Sequence, residues 1–211
     1  MTAKSTKTPG FVTPMVALPV RRLPEGDDWL YEPKWDGYRA LLIKDGKDVQ
    51  ICSGNDKNLT AMYPRVAAAG ARQTTRQMVL DGEIVAIAAD GRPSFQALQH
   101  RRSHDEHQIT YYVFDLLFAG GKDLMDESLE ARRALLPKVI KTDDVLRLSL
   151  ELPGHASDVV KALREVGLEG VIAKRRDSKY EPGERSGDWV KFKLERQRCA
   201  QAEHRIPRFD A

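Results

Sequence analysis

An Asp-Gly dipeptide between two strand-like runs is the feature that most restricts how this chain can fold. Tyr38 to Lys44 (YRALLIK) and Lys47 to Ser53 (KDVQICS) flank Asp45-Gly46. Glycine-bearing turns of this kind match the right-handed twist of adjoining strands, so the pattern predicts a β-hairpin. A hairpin needs further strands to cover it. Met78 to Ala88 (MVLDGEIVAIA) and Ile109 to Phe118 (ITYYVFDLLF) supply two apolar, β-branched and aromatic runs. Each carries a carboxylate inside an otherwise buried strand, Glu83 in the first and Asp115 in the second. Buried carboxylates need partners, so the two strands are expected to share one polar site.

The rest of the chain alternates strands and helices. Leu59 to Ala71 is expected to be mostly helical, with Thr60 as N-cap and Pro64 in the first turn. Ser94 to Arg101 reads as a short helix capped by Ser94. Glu127 to Ile140 reads as an amphipathic helix with Leu129, Ala131, Leu135, Leu136 and Val139 inward. Val145 to Leu152 reads as a strand, Ser157 to Val166 as a helix and Gly170 to Lys174 as a strand. Trp189 to Leu194 alternates strictly, with Val190, Phe192 and Leu194 on one face and Lys191 and Lys193 on the other. Phe11 to Leu23 carries Pro14 and Pro19, and Pro24 follows at once, which predicts an extended arm. Residues 1–10 read as a disordered tail, 11–194 as one domain and 195–211 as a short tail. His100, His104 and His107 have near-helical spacing. Charged residues intervene and no cysteine is near, so a solvated loop is expected rather than a zinc site.

Composition narrows the class. The net charge of +3 permits a nucleic-acid partner without demanding one. The apolar runs are too short to span a bilayer, and the N-terminus lacks the apolar core of a signal peptide. Cys52 and Cys199, the two cysteines, are expected to be reduced thiols in a cytosolic protein.

Just before the hairpin lies Glu32-Pro33-Lys34-Trp35-Asp36-Gly37-Tyr38-Arg39. It sets a lysine, a carboxylate and a glycine in one turn at the mouth of a sheet. Lysine is a nucleophile when its amine is unprotonated, which desolvation or a nearby cation favours. Gly37 lets backbone approach a ligand, and Asp36 can orient the amine or hold a cation.

With five later blocks, this stretch resembles the adenylation (nucleotidyltransferase) domain of ATP-dependent DNA ligases, in particular bacterial end-joining ligases. The later blocks are Ser53 to Thr60, Asp81-Gly82-Glu83-Ile84-Val85, Tyr112-Val113-Phe114-Asp115, Glu169 to Lys174, and Trp189-Val190-Lys191-Phe192-Lys193. The loop Tyr180-x-Pro182-Gly183-x-Arg185-Ser186 lies between the last two. The resemblance implies an α+β fold, two twisted antiparallel sheets with flanking helices forming a nucleotide cleft (an ATP-grasp-like ligase fold). It implies ATP as substrate and Mg2+ or Mn2+ as cofactor. Lys34 would attack the α-phosphorus and become lysyl-AMP. Phe114 would stack on adenine and Glu32 would lie beside its edge. Glu83 would hold the ribose hydroxyls, through metal-bound water. Arg39, Lys174, Lys191 and Lys193 would contact sugar or phosphates, and Asp36, Glu83 and Glu169 would face the metal. The implied partner is nicked or broken duplex DNA, with end-joining proteins or a separate oligonucleotide-binding domain.

RNA ligases and capping guanylyltransferases share the lysine chemistry, and a non-catalytic ATP- or DNA-end-binding module is a third alternative. Two departures bear on activity. Ser53-Gly54-Asn55 stands where the family normally reads Ser-Arg-Asn. The eighteen residues from Leu194 to Ala211 cannot form the family's second domain, an oligonucleotide-binding β-barrel. Slow or no self-adenylation, and undetectable or very poor sealing, by this chain alone are therefore expected.

Overall fold

A computed structural model describes residues 8–88, 91–99 and 108–194. His100, His104 and His107 lie outside the described residues, as do the first seven and last seventeen residues of the chain. Ten strands and four helices follow in chain order among the described residues. They are β1 (Leu18–Pro19), β2 (Trp29–Pro33), β3 (Tyr38–Asp45), β4 (Asp48–Ser53), α1 (Pro64–Ala71), β5 (Gln77–Ile87), α2 (Phe95–Gln99), β6 (Gln108–Ala119), β7 (Lys122–Asp123), α3 (Leu129–Val139), β8 (Leu146–Leu148), α4 (Ala156–Glu165), β9 (Gly170–Arg175) and β10 (Trp189–Lys193). One sheet has the order β1-β10-β9-β2; the other runs β4-β3-β5-β6-β7, with β8 also on β6.

The hairpin forms as expected, but its turn is Gly46-Lys47, because Asp45 still pairs with Asp48. Gly46 alone of the two has a positive φ, 64°, which suits turns that place glycine first. Strand period then decides what faces where. In the larger sheet Ala40, Leu42, Leu80, Ile84 and Tyr111 point to one core, under α1 and α3. Leu41, Ile43, Val79 and Phe114 point to a second core with Trp189 and Tyr180. Burial on both faces explains why β5 and β6 read as near-continuous apolar runs. In the smaller sheet Tyr31, Val171, Ala173 and Val190 pack on α4 through Ala156, Val159 and Leu163. Those helix positions recur at the spacing of one apolar stripe. The alternation predicted for Trp189 to Leu194 is present, with Val190 and Leu194 buried and Lys193 exposed.

Several expectations need correction. The sheets are mixed rather than purely antiparallel, since β1 joins β10 and β8 joins β6 in parallel. The helix expected from Leu59 starts at Pro64, with Tyr63 at the cap position. Thr60 does not cap it; its hydroxyl instead accepts from Ile51 N at 3.0 Å. The strand expected over Val145 to Leu152 keeps only three residues, and Leu152 bridges to Tyr31. In α3 Ala131 is exposed, while Arg132 takes the fully buried position between Leu129 and Leu136.

Asp115 explains that arginine, and it also corrects the expectation of a polar site shared with Glu83. Arg132 Nε and Nη2 reach the two Asp115 oxygens at 2.8 and 2.9 Å, with neither side chain exposed to solvent. Arg132 Nη1 also donates to the carbonyls of Glu127 and Ser178. Asp115 is thus a structural anchor for α3. Breaking a buried pair leaves an uncompensated charge and costs about 3–5 kcal/mol. Asp115→Ala is expected to destabilise the chain by about that much in urea titration. Replacing Asp115 and Arg132 together by apolar residues is expected to recover most of the loss.

Candidate active site

The two sheets face each other across a cavity of about 210 Å3. The register of β2, β9 and β10 sets Leu30 beside Lys174, Glu32 beside Ile172, Trp189 beside Lys174 and Lys191 beside Ile172. Glu32, Ile172, Lys174, Trp189 and Lys191 therefore share the face that lines the cavity. From the opposite sheet come Arg39, Glu83 and Phe114, and from the extended arm come Val16 and Ala17. The arm is held there by Val16 N on Glu184 O, 2.8 Å, and by Val20 N on Lys191 O, 3.0 Å.

Lys34 follows β2 at the cavity wall. Its backbone N–H donates to Gly170 O at 2.9 Å, and its ammonium pairs with Glu169 Oε2. Glu169 Oε1 takes Lys193 at 3.1 Å. Burial opposes the Glu169 charge, but the hydrogen bonds and charges of Lys34 and Lys193 outweigh it and hold the carboxyl below its usual range. Trp35 fixes the turn from the other side. Its ring stacks on Tyr112, with centroids 3.8 Å apart and planes 11° apart, and Nε1 donates to Ser149 Oγ at 3.1 Å. A Cβ on Gly37 would run into the backbone of Ile84, so glycine is required there by close approach.

Opposite Lys34, Glu83 pairs with Arg39 in the register of β5 and β3. Burial pushes the Glu83 carboxyl up to about 8, although Arg39, Lys34 and a hydrogen bond from the Gly37 backbone act the other way. Arg39 itself forks onto the fully buried Asp81, Nε to Oδ1 at 3.1 Å and Nη2 to Oδ2 at 2.6 Å. Tyr180 donates to the same Asp81 oxygen at 2.7 Å and accepts from Met15 N at 3.0 Å. Deeper in the cavity, Glu32 is only 2 % exposed. It holds Lys174 at 3.0 Å and pairs with Arg133. Lys174 Nζ rests on the rings of Phe114 and Trp189, 4.3 and 4.1 Å from their centroids. Burial lowers the Lys174 pKa against the pull of Glu32 and Asp115.

The structure thus gathers Glu32, Lys34, Arg39, Glu83, Phe114, Lys174 and Lys191 around one cavity, with Glu169 and Lys193 joined to it through Lys34. Asp36 is half-exposed and is not part of that wall. Sequence reasoning missed Asp81, Arg133, Tyr180 and Trp189 as parts of the site. Asp81 lies two residues before Glu83 on the same face of an apolar strand, a legible signal. Arg133 had only its place beside Arg132, and Tyr180 had none beyond its loop. Among the described residues no three carboxylate, histidine or cysteine side chains gather as a metal site. The donor set fits Mg2+ or Mn2+ held by one carboxylate, Glu83 or Glu169, together with nucleotide phosphates and water, a binding mode common for Mg2+.

Comparison with known proteins identifies the family of this fold. The model of a family described as ATP dependent DNA ligase domain matches residues 14–193. This chain belongs to that family. The multifunctional non-homologous end joining DNA repair protein LigD of Mycobacterium tuberculosis is 37 % identical over 169 residues, 80 % of this chain and 22 % of that protein. DNA ligase C1 of Mycolicibacterium smegmatis is 35 % identical over 201 residues, 88 % of this chain and 57 % of that protein. A solved structure of mycobacterial DNA ligase D complexed with ATP and MES superposes with a TM-score of 0.76 at 34 % identity, covering 86 % of this chain and 60 % of that one. The chain therefore spans only part of the length of these relatives. The ligase-domain fold expected from the sequence is the fold observed. In this domain Gly54 replaces the expected arginine in the turn after β4. A Cβ there would meet only Pro14 Cγ, at 3.8 Å, so a side chain is not excluded by space.

The position of Glu83 makes the domain's stability depend on pH. Its folded pKa, about 8, lies above the ordinary 4.5, so the folded state binds the proton more tightly than the unfolded one. The stability this contributes is complete below pH 4.5 and is lost as pH rises to about 8. Glu83→Gln, an isostere of the neutral form, is expected to melt level with the parent at pH 4.5 and above it near pH 8. Parallel melting curves for the two proteins across that window would show that Glu83 ionises as freely folded as unfolded.

Proposed function

We propose that this chain is the adenylating core of a DNA-joining ligase, taking AMP from ATP onto Lys34 and passing it to a DNA 5′-phosphate. The observation that supports this most is the seat of Lys34, an amine in the wall of a cavity also lined by Arg39, Lys174 and Lys191. Such a site attracts a polyanion and offers it a nucleophile. In the first step the Lys34 Nζ–phosphorus bond forms as the bond from the α-phosphorus to the bridging oxygen breaks. Pyrophosphate leaves with the electron pair. Glu169 is the hydrogen-bond acceptor for the amine and the nearest base for its proton. Phe114 offers an aromatic face to adenine, Glu32 the polar edge beside it, and Glu83 a carboxyl to the ribose hydroxyls. Arg39 and Lys191, from opposite walls, contact phosphate oxygens. A divalent ion bound with the nucleotide would screen the phosphates so that the amine can approach. The second step gives the AMP to a 5′-phosphate at a nick or break in duplex DNA, and a 3′-hydroxyl then displaces it. The same reading puts the protein in the cytoplasm, acting with end-joining proteins on chromosomal breaks. Among the described residues no helix is long and apolar enough to cross a membrane.

Incubation with ATP labelled in the α-phosphate, followed by denaturing electrophoresis, is the direct test. The parent chain is expected to carry label, and Lys34→Ala and Lys34→Arg none, since arginine does not deprotonate in this range. Label retained in both variants would place the nucleophile elsewhere. Labelling from GTP as readily as from ATP would favour a capping enzyme.

Phe114→Leu is expected to weaken ATP binding by about 1 kcal/mol, roughly fivefold. The label reached at saturating ATP should be unchanged, because the nucleophile is untouched. Unaltered ATP affinity with a lower melting temperature would make Phe114 a core residue only.

A further inference from the structure

Charge on this molecule is locally segregated in a way the nucleotide site does not use. A groove of about 860 Å3 runs along β1 and the end of β10. Four cations line it: Arg21 beyond β1, Arg164 in the last turn of α4, and Lys191 and Lys193 on one face of β10. Its floor is Pro19, Val20 and Phe192, and no carboxylate lines it. Other surface clefts differ. One sets Arg176 among Glu25, Asp27 and Glu151, and another sets Lys179 among Asp123, Asp126, Glu181 and Glu184. Elsewhere on the surface Arg65, Arg72, Arg175 and Arg176 each reach a carboxylate. Arg21, Arg164 and Lys191 make no ion pair among the described residues, and Lys193 shares Glu169 with Lys34. Lys191 also lines the nucleotide cavity, so one lysine is common to the cavity and the groove. Burial and then the neighbouring charges of Lys34, Arg185 and Lys193 lower the Lys191 pKa against the pull of Glu169.

We propose that this groove is the track for the sugar-phosphate backbone of the DNA strand whose 5′-phosphate receives AMP, with Arg21 and Arg164 holding phosphates beyond the terminal one. The inference rests on the proposed ligase reading and adds where the strand lies. A strand that delivers its end to Lys34 past Lys191 continues into the groove, where apolar floor meets sugar and cations meet phosphate. Arg21 and Arg164 are outside the cavity wall, so ATP does not need them.

The test uses the full chain, a duplex with a 5′-phosphorylated nick, and binding measured over a series of salt concentrations. Each lost phosphate contact lowers the slope of log K against log salt by about 0.9. Arg21→Ala/Arg164→Ala is expected to reduce the slope by nearly 2 while leaving the melting temperature and Lys34 labelling from ATP unchanged. Arg65→Ala/Arg72→Ala removes the same charge from another face and is expected to change the slope little. An unchanged slope in the groove variant, or an equal fall in the control, would overturn the track and leave the adenylation reading standing. Lost ATP labelling in the groove variant would reassign the groove to pyrophosphate and overturn it equally. No measurable DNA binding by the parent would remove both the track and its DNA partner, while label on Lys34 would still support the first step.

Discussion

Asp81 is the group on which the cleft depends. A carboxylate with no solvent exposure, in the middle of a sheet, persists only if its oxygens are matched. Here the matches come from two parts of the chain, and a third is tied on behind them. Arg39 reaches it from β3, Tyr180 from the loop between β9 and β10, and Tyr180 in turn accepts from Met15 in the arm. One buried anion therefore ties the larger sheet to the segment that leads into the smaller sheet. Tyr180 and Phe114 both meet Trp189 edge-on, at 5.6 and 6.2 Å between centroids, and Arg39 lies over the Phe114 and Trp189 rings. Buried ion pairs add little net stability compared with well-packed apolar residues. What this one supplies is geometry: it holds Arg39 in the wall of the larger sheet and ties the Tyr180 loop and the arm to that wall.

Close backbone approach is the second constraint, and it explains why glycines sit close to Lys34 and Glu169. A Cβ on Gly170 would strike the Phe192 backbone, as one on Gly37 would strike Ile84. Gly170 lets β9 and β10 close together just where Lys34 N–H bonds its carbonyl. That closure brings Glu169, Lys193 and Lys34 into one chain of charges although they are far apart in sequence. The glycines thus place the carboxylate and the lysines and have no chemical role of their own.

The legible part of the sequence was what repeats with strand period. The hairpin, the long strands β5 and β6, and the faces of β10 followed from alternation and turn chemistry. Lys34, Arg39, Glu83 and Phe114 were named because ordered motifs carried them, and the structure brings them to one cavity. What was not legible depends on distant pairing. Asp115 and Glu83 look alike in sequence, each a carboxylate in an apolar strand. Only the docking of α3 gives Asp115 an arginine of its own and leaves Glu83 to the cleft. Arg132 and Arg133 are adjacent, yet one is sealed under α3 and the other reaches Glu32 and the carbonyls of Phe114 and Ser149. Thr60 shows the same limit at short range. Its hydroxyl had two local uses, capping a helix or bonding a strand, and packing of α1 on β4 chose the second.

The division of labour between the two cleft carboxylates follows from their surroundings. Glu169 faces two ammonium groups and is held ionised, whereas Glu83 is pushed by burial toward its neutral form near pH 7. A neutral carboxyl donates one hydrogen bond and accepts others, which suits a sugar hydroxyl and does not repel phosphate. The cavity wall then presents Lys34, Arg39, Lys174 and Lys191 against the single firmly paired anion Glu32. The ion pairs of the walls and the buried network at Asp81 fix these cations in place, so a polyanion entering the cavity would demand little reorganisation. The field of Asp115 still reaches Lys174, but Arg132 matches both of its oxygens outside the cavity wall, so Asp115 adds no unpaired negative charge there.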